Sequence, residues 1–280
     1  MDVALAPSLL PAAPEARRRA VYVVVDLIRA STTLCVLLER GCRRVHIADG
    51  IASARRAAAR MVADREPARR ALLIGEVEGI APPGFDYGNS PAELAPLDLS
   101  TAEPIFATTN GTRAMHACVG GAAILVGALR NARTVAHAAV SHVEAVLASD
   151  LQATGTGHAQ PPPAVTVVCA GIGALPAYDD AVCAGVIADY VVQELTERQY
   201  PVAVGEGARI ALAARESALR GGLRVTLAES TAARGIAALG LSADLDWCVA
   251  LDVSAVVPAV VGATPAEDLL LVAPLVSTQP

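Results

Sequence analysis

Short runs of aliphatic and β-branched residues alternate along the chain with longer, alanine-rich segments. The short runs are continuous rather than interrupted by polar residues, which is typical of strands buried on both faces of a sheet. The longer segments have the length and composition of helices. The predicted strands are residues 21–25, 44–48, 71–74, 104–108, 123–126 and 165–169, and the predicted helices are residues 31–40, 51–64, 112–119, 132–147, 179–198, 206–219 and 230–239.

This alternation, with short links, predicts an α/β fold in three layers, in which sheet strands carry helices on both faces. The segment 152–163 is rich in glycine and proline and is a candidate subdomain boundary.

A short pattern also occurs twice. Asp26 and Asn110 each follow a predicted strand and precede a helix, and an arginine lies three positions later in both cases, Arg29 and Arg113. Chance is a fair explanation for so short a match. A true repeat would place two similar half-sites at the carboxyl ends of two parallel strands, where ligands bind in open α/β sheets.

Composition excludes several kinds of site. The chain has 280 residues and a formal net charge of −6, and all 22 of its basic residues are arginine. Without lysine it cannot form a P-loop, a protein-kinase site or a pyridoxal-phosphate Schiff base. The acidic balance, with no basic stripe interleaved with aromatic residues, predicts that the protein does not bind nucleic acid.

The cysteines and the apolar segments predict a cytoplasmic protein without a membrane span. No C-x-x-C pair occurs among the six cysteines, which argues against a zinc ribbon and favours free thiols in a reducing compartment. The N-terminal segment is apolar first and then basic, the reverse of a signal peptide. The longest apolar stretch, 249–263, is interrupted by Asp252 and Pro258.

The first candidate site cluster follows the strand predicted at residues 21–25. Asp26 can coordinate a hard cation or attack a phosphorus, and Arg29 is a planar donor suited to phosphate or carboxylate. Ser31, Thr32 and Thr33 lie at a helix start, where free N–H groups and hydroxyls can bind an anion. The alternative is an ordinary helix cap beside a surface arginine.

Three further clusters combine carboxylates, amides and hydroxyls. Glu76 follows another predicted strand, and the loop after it carries Asp86 and Asn89, so this region is either a metal or substrate rim or an ordinary turn. The segment with Thr109, Asn110 and Arg113 favours anion recognition. Asp179 and Asp180 open the helix predicted at 179–198, where capping is the alternative role; because adjacent side chains diverge, we expect at most one to face a site.

These residue types together favour one reaction class. No His–Ser or Cys–His pair is evident, whereas carboxylates and arginines recur at strand ends. That combination favours Mg²⁺-assisted phosphoryl transfer over acyl transfer. Two alternatives are a non-catalytic binding protein for small phosphorylated or sulfonated acids, and an oxidoreductase using Gly171 and Gly173, where Pro176 replaces the third glycine of the dinucleotide fingerprint.

Four motifs resemble the 2-phosphosulfolactate phosphatase family. They are V-V-D-L-I-R-A-S-T-T (24–33), G-F-D-Y-G-N-S-P-A-E (84–93), T-T-N-G-T-R-A (108–114) and D-D-A-V-C-A-G (179–185). The resemblance implies Mg²⁺-dependent hydrolysis of 2-phospho-3-sulfolactate to 3-sulfolactate, a step toward coenzyme M in methanogens. It also implies two similar packed α/β subdomains. We place them at residues 21–160 and 161–280, after an N-terminal extension over residues 1–20.

The resemblance also suggests the site residues and one departure. Where the family usually reads Gly-Glu-Arg, Val77 replaces the arginine, which puts the preferred substrate in doubt; the family's Glu-Asp is here Asp179-Asp180. The expected partner is a small anionic phosphorylated substrate, and the oligomeric state stays open, a homo-oligomer included. The predicted catalytic residues are Asp26, Arg29, Arg113 and Asp180, the predicted Mg²⁺ ligands are Asp26, Glu76 and Asp180, and the predicted substrate-binding residues are Ser31, Thr32, Thr33, Asp86, Asn89, Thr109 and Asn110.

Overall fold

The structure is a computed structural model that describes residues 1–63, 70–152, 161–173, 175–264 and 268–275. Its strands pair into one mixed sheet. In chain order the described strands are β1 (Asp2–Ala4), β2 (Ala20–Val25), β3 (Val45–Ala48), β4 (Arg70–Gly75), β5 (Ala102–Ala107), β6 (Ala123–Val126), β7 (Ala164–Cys169), β8 (Pro258–Thr264) and β9 (Leu269–Pro274). Their order in the sheet is β1-β7-β2-β6-β8-β9-β3-β5-β4.

Helices cover the sheet. They are α1 (Pro14–Arg18), α2 (Ala30–Glu39), α3 (Ile51–Ala63), α4 (Pro91–Leu94), α5 (Gly111–Ala117), α6 (Ala132–Gln152), α7 (Tyr178–Glu197), α8 (Glu206–Gly221), α9 (Leu223–Ala228), α10 (Thr231–Ala238) and α11 (Ala243–Cys248).

Two groups of parallel strands run in opposite directions along this sheet. Strands β1, β7, β2 and β6 are parallel to one another, and so are β3, β5 and β4. The antiparallel hairpin β8–β9 joins the groups, because β8 pairs with β6 and β9 pairs with β3. Asp26 and Asn110 therefore follow strands of opposite direction, because β2 and β5 belong to different groups, so they do not form the parallel half-sites that a true repeat would have placed there.

The continuous apolar runs are buried on both faces, as predicted. All six residues of β2 are buried. Val21, Val23 and Val25 pack into the core that contains α6, α7 and α8, whereas Tyr22 and Val24 pack into the core beneath α2 and α5. Each fully buried valine stabilises the fold by about 1.5–3 kcal/mol relative to an exposed one. The three-layer α/β prediction is confirmed.

The sequence missed several elements. All six predicted strands and the seven long helices are present, with described ends that differ from the prediction by five residues at most. Strand β1 and the hairpin β8–β9 were not predicted. The hairpin is hard to see because β8 begins at a proline, has a bulge between Val260 and Gly262, and leaves much of its length exposed.

The structure does not test the predicted division into subdomains. Strands from all the proposed segments pair in one sheet, and part of the second boundary lies outside the described residues. Most of the candidate boundary 152–163 is outside them. On either side of it, β7 pairs with both β1 and β2, so strands from all three proposed segments are neighbours. The division into an extension and two similar subdomains stays a prediction.

Two further sequence expectations concern thiols and membranes. All six cysteines are free and buried, which agrees with the expectation of free thiols. Within the described residues, no helix combines the length and apolarity needed to cross a bilayer.

Candidate functional site

A cavity of about 450 Å³ lies where the carboxyl ends of β2, β4, β5 and β7 meet. Contacts between the two strand groups close it: the Gly111 N–H after β5 donates to Asp26 after β2, and the Gly173 N–H after β7 donates to Asn110 Oδ1 at 3.2 Å. The cavity is lined by polar residues at the strand ends and by an apolar wall. The polar lining includes Asp26, Arg29, Glu76, Glu78, Asn89, Thr109, Asn110, Asp179 and Asp180.

Asp26 is half-buried at the centre of this lining. Its carboxylate accepts hydrogen bonds from the N–H groups of Ala30, at 3.4 Å, and Gly111. Burial raises the pKa of Asp26 to about 7, and the charges of Glu76 and Asp179 add to the rise. The close approach needs glycine at 111, because a Cβ there would lie 2.7 Å from Asp26 Oδ2.

Asp179 and Asp180, in the first turn of α7, are both buried and both line the cavity. The expectation that at most one faces the site is wrong. Asp180 accepts the N–H of Leu27 at 2.8 Å and the N–H of Gly171 at 2.9 Å, and burial together with Asp179 and Asp26 raises its pKa well above the usual range. These bonds tie α7 to the ends of β2 and β7.

Asp179 differs from its neighbour because part of its carboxylate has no partner. Its Oδ1 is buried without a hydrogen bond from any described residue. Burial raises the pKa of Asp179 to about 6, although hydrogen bonds from its own N–H and that of Ile28 favour the charged form. A buried carboxylate oxygen without a donor is costly unless a ligand supplies one. The sequence analysis gave Asp179 no role of its own.

Glu76 joins the ends of β4 and β5. Its Oε1 accepts the Thr109 N–H and its Oε2 accepts the Gly79 N–H, both at 2.8 Å. The carboxylate therefore shapes the cavity floor as well as facing it.

Arg29 lines the cavity but is not free in it. Its guanidinium donates to Asp244 Oδ2 and to the Gly79 carbonyl oxygen, both at 2.8 Å. Asp244, on α11, is buried and was not singled out from the sequence. No signal pointed to it, because it lies 215 residues from Arg29 and outside every quoted motif.

The hydroxyl cluster at the start of α2 does not reach the cavity. Ser31 Oγ accepts the Asp26 N–H, Thr32 donates to the Leu27 carbonyl and Thr33 donates to the Asn89 carbonyl. None of the three lines the cavity. Because the first turn of α2 is buried, these hydroxyls satisfy nearby backbone groups rather than an anion. Of the three, Ser31 contacts Asp26 directly, through the Asp26 backbone N–H.

The loop before α4 contributes one of its two predicted residues. Asn89 is buried, lines the cavity, and has an Oδ1 with no hydrogen-bond partner among the described residues. Asp86 instead accepts the Leu73 N–H at 2.8 Å and pairs with Arg70 at 3.3 Å. Asp86 lines a neighbouring cavity of about 370 Å³ rather than the main one.

Of the three predicted site residues after β5, two line the cavity and one does not. Thr109 and Asn110 line the cavity. Arg113 is exposed on α5 and is not in the lining. The repeat of Asp26 and Asn110 thus brings both short side chains to the cavity but only one of the two arginines. Val77, which replaces the family's arginine, is 47% exposed and also lies outside the lining.

The apolar wall was not expected from the sequence. It comes mainly from α10 and the residue after it, through Ala232, Gly235, Ile236 and Leu239. Leu239 packs against the turn after β4 so closely that a Cβ on Gly79 would lie 2.7 Å from its Cδ1. The cavity therefore has an apolar side as well as a carboxylate floor.

Comparison with known proteins identifies the family of this chain. A family model described as 2-phosphosulpholactate phosphatase matches residues 5–263. A protein of Deinococcus radiodurans named probable 2-phosphosulfolactate phosphatase is 34% identical over 91% of this chain and 92% of its own length. A Thermus thermophilus protein of the same name is 34% identical over 86% of this chain and 88% of its own. The chain therefore belongs to the 2-phosphosulpholactate phosphatase family.

Proposed function

We propose that the protein is a Mg²⁺-dependent phosphatase that hydrolyses 2-phospho-3-sulfolactate, or a similar small phosphorylated hydroxy acid, to the hydroxy acid and phosphate. The observation that carries the proposal is the group of buried carboxylates at the strand ends, in a chain whose relatives are named for this activity. Asp26, Asp179 and Asp180 repel one another, which is one reason that the pKa values of Asp26 and Asp180 are raised.

The donor set fits Mg²⁺. The described residues contain no group of three His, Cys, Asp or Glu side chains already arranged around a metal position. Mg²⁺ does not require one, because it is usually held by one or two carboxylates together with substrate phosphate and water. Asp26 and the unpartnered Oδ1 of Asp179 would hold it. Asp180 and Glu76, predicted as ligands, also line the cavity, but each of their oxygens accepts a backbone N–H at 2.8–2.9 Å, so we assign them to holding the strand ends in place.

When bound, Mg²⁺ would neutralise charge on the phosphoryl oxygens. The chain's own groups then account for the remaining chemistry. Arg29 and the side-chain amide of Asn110 are placed to bind the acid groups of the substrate. The apolar residues of α10 line the cavity beside these groups.

Asp26 is the group from which hydrolysis begins. Its carboxylate lines the cavity and, in the ionised form, can accept a proton or attack phosphorus. In one route Asp26 takes a proton from the attacking water, the water oxygen bonds to phosphorus, and the proton passes to the ester oxygen as the P–O bond breaks. In the other route the Asp26 oxygen bonds to phosphorus, the ester oxygen leaves and takes a proton from solvent water, and a second water then hydrolyses the aspartyl-phosphate bond and returns its proton to solvent. Acid quenching during turnover distinguishes them, because only the second leaves phosphate bound to the protein.

The test is phosphate release from 2-phosphosulfolactate by chelated protein to which Mg²⁺ is added back. We expect no release in EDTA and full activity on Mg²⁺ addition. Release that ignores the chelator would refute the metal dependence. Substrate binding without release would favour the non-catalytic binding protein instead. The six free, buried thiols support the accompanying proposal that the protein works in a reducing, cytoplasmic compartment.

A further inference from the structure

The pair formed by Arg29 and Asp244 is the most deeply buried ion pair at the cavity. The side chains are only 3% and 1% exposed, and Nη1 of Arg29 lies 2.8 Å from Oδ2 of Asp244. Arg29 is the sole arginine in the lining formed by the described residues. Asp244 comes from the distant helix α11 and is not in the lining itself.

Asp244 is held rigidly by groups other than Arg29. Its second oxygen, Oδ1, accepts the Ser90 hydroxyl at 2.5 Å and the Ala92 N–H at 3.2 Å. Ser90 is the N-cap of α4. Apart from Arg29, the carboxylate is thus held by two donors from the segment that begins α4, which makes it a stable anchor for the guanidinium.

The anchored guanidinium has a defined plane and unused donors. Nη1 is bound to Asp244 and Nη2 to the Gly79 carbonyl, so two acceptors on separate elements set its orientation. A guanidinium carries five N–H groups in a fixed plane. After these two bonds, donors remain for an oxygen of a phosphate or carboxylate in the cavity.

Without this anchor, the carboxylates around the cavity would attract the Arg29 guanidinium toward themselves. Asp26, Glu76, Asp179 and Asp180 all line the same cavity. An unrestrained arginine is attracted to such carboxylates, because opposite charges interact strongly where water is excluded. If Arg29 paired with these carboxylates, its N–H groups would no longer be available at the cavity wall to bind the acid groups of the substrate.

We propose that Asp244 is a positioning residue that holds Arg29 on the cavity wall, separate from the site's own carboxylates, so that Arg29 can bind the acid group of the substrate. This role rests on the proposed phosphatase function. It assigns part of the active site to the C-terminal helices, which none of the four sequence motifs reaches.

The test compares Asp244→Asn with Glu39→Gln. Glu39 forms a second buried ion pair, with Arg130 at 2.8 Å, outside the cavity lining. Arg130 also stacks on Trp247 of α11, so the control disturbs the same helix. Both variants should lower the Tm. Only Asp244→Asn should raise the KM for 2-phosphosulfolactate at least tenfold, with kcat changed less than threefold, and reduce the Tm increase caused by inorganic phosphate.

A double-mutant comparison distinguishes the positioning of Arg29 by Asp244 from a purely structural role of Asp244. In an Arg29→Ala background, Asp244→Asn should leave KM unchanged, because the arginine it positions is absent. If Asp244→Asn does not fold, Asp244→Glu keeps the ion pair and should show a smaller rise in KM in the same direction. Equal KM values and equal phosphate effects in the Asp244 variant and the Glu39 control would overturn the proposal.

The phosphate effect on Tm needs no turnover, so it separates the two claims. If the wild-type protein released no phosphate from the substrate, the proposed function would fail. The loss of phosphate stabilisation in Asp244→Asn, but not in Glu39→Gln, would still test the positioning of Arg29.

Discussion

Replacing Asp26 by asparagine should make the metal-free protein more stable at alkaline pH. Burial and the charges of Glu76 and Asp179 raise the pKa of Asp26 from 3.8 to about 7. Because the folded-state pKa lies above the unfolded one, the native state binds more protons between these values, so stability falls as pH rises from about 4 to about 7. A shift of about three units corresponds to about 4 kcal/mol at about 1.4 kcal/mol per unit.

Asparagine resembles the neutral carboxyl group and does not ionise, so Asp26→Asn should not lose unfolding free energy in this way as the pH rises. Near pH 5 the carboxyl is mostly protonated in the folded state but mostly ionised in the unfolded state, so the variant should already lead by about 1–2 kcal/mol from this linkage. From pH 5 to pH 8 the difference in unfolding free energy between Asp26→Asn and wild type should grow by about 3 kcal/mol. This is the part of the pKa shift that lies between pH 5 and pH 7, about two units at about 1.4 kcal/mol each.

The assay is urea unfolding of both proteins in EDTA at pH 5 and pH 8. Asp98→Asn is the control, because a hydrogen bond from the Ser100 N–H lowers the pKa of that exposed carboxylate. Its stability change should be small and should not grow with pH. A difference between wild type and Asp26→Asn that is the same at both pH values would refute the reasoning that Asp26 is held in an unfavourable charged state.

Three other substitutions test the geometry. Gly111→Ala should lower kcat/KM at least tenfold, because its Cβ would meet Asp26 Oδ2 at 2.7 Å, whereas Gly262→Ala, with open space around it, should not; equal effects would contradict this contact. Arg113→Ala should change kcat/KM less than threefold, since that side chain is exposed outside the lining; a loss above thirtyfold would restore the role predicted from the sequence. Asp180→Ala leaves two backbone N–H groups without an acceptor and should cost about 2–6 kcal/mol in urea unfolding, and a change below 1 kcal/mol would show that water replaces it.

The sequence predicted the strand-end positions well because they follow from local patterns. A continuous apolar run such as β2 ends at the first residue that must leave the sheet, and Asp26 and Glu76 occupy that position in two strands. Both residues line the same cavity, although β2 and β4 belong to groups of strands that run in opposite directions. The same reasoning found Asn89 and Asn110 through their loops.

The rest depended on long-range packing that no local pattern contains. Whether Ser31, Thr32 and Thr33 face a ligand depends on which side of α2 is buried, and they proved to serve nearby backbone groups. The pairing of Arg29 with Asp244 requires α11 to fold back over the site. Likewise, the unpartnered oxygen of Asp179 is visible only once its surroundings are in place.

The most direct test of the central claim is the rate of phosphate release from 2-phosphosulfolactate by wild type and Asp26→Asn at saturating Mg²⁺. If the carboxylates at the strand ends are the phosphatase site, the variant should be folded, as the unfolding assay checks, and should lose at least a thousandfold in kcat/KM. A loss below tenfold, about 1.4 kcal/mol of transition-state stabilisation, would contradict the account and leave Asp26 with only a structural role.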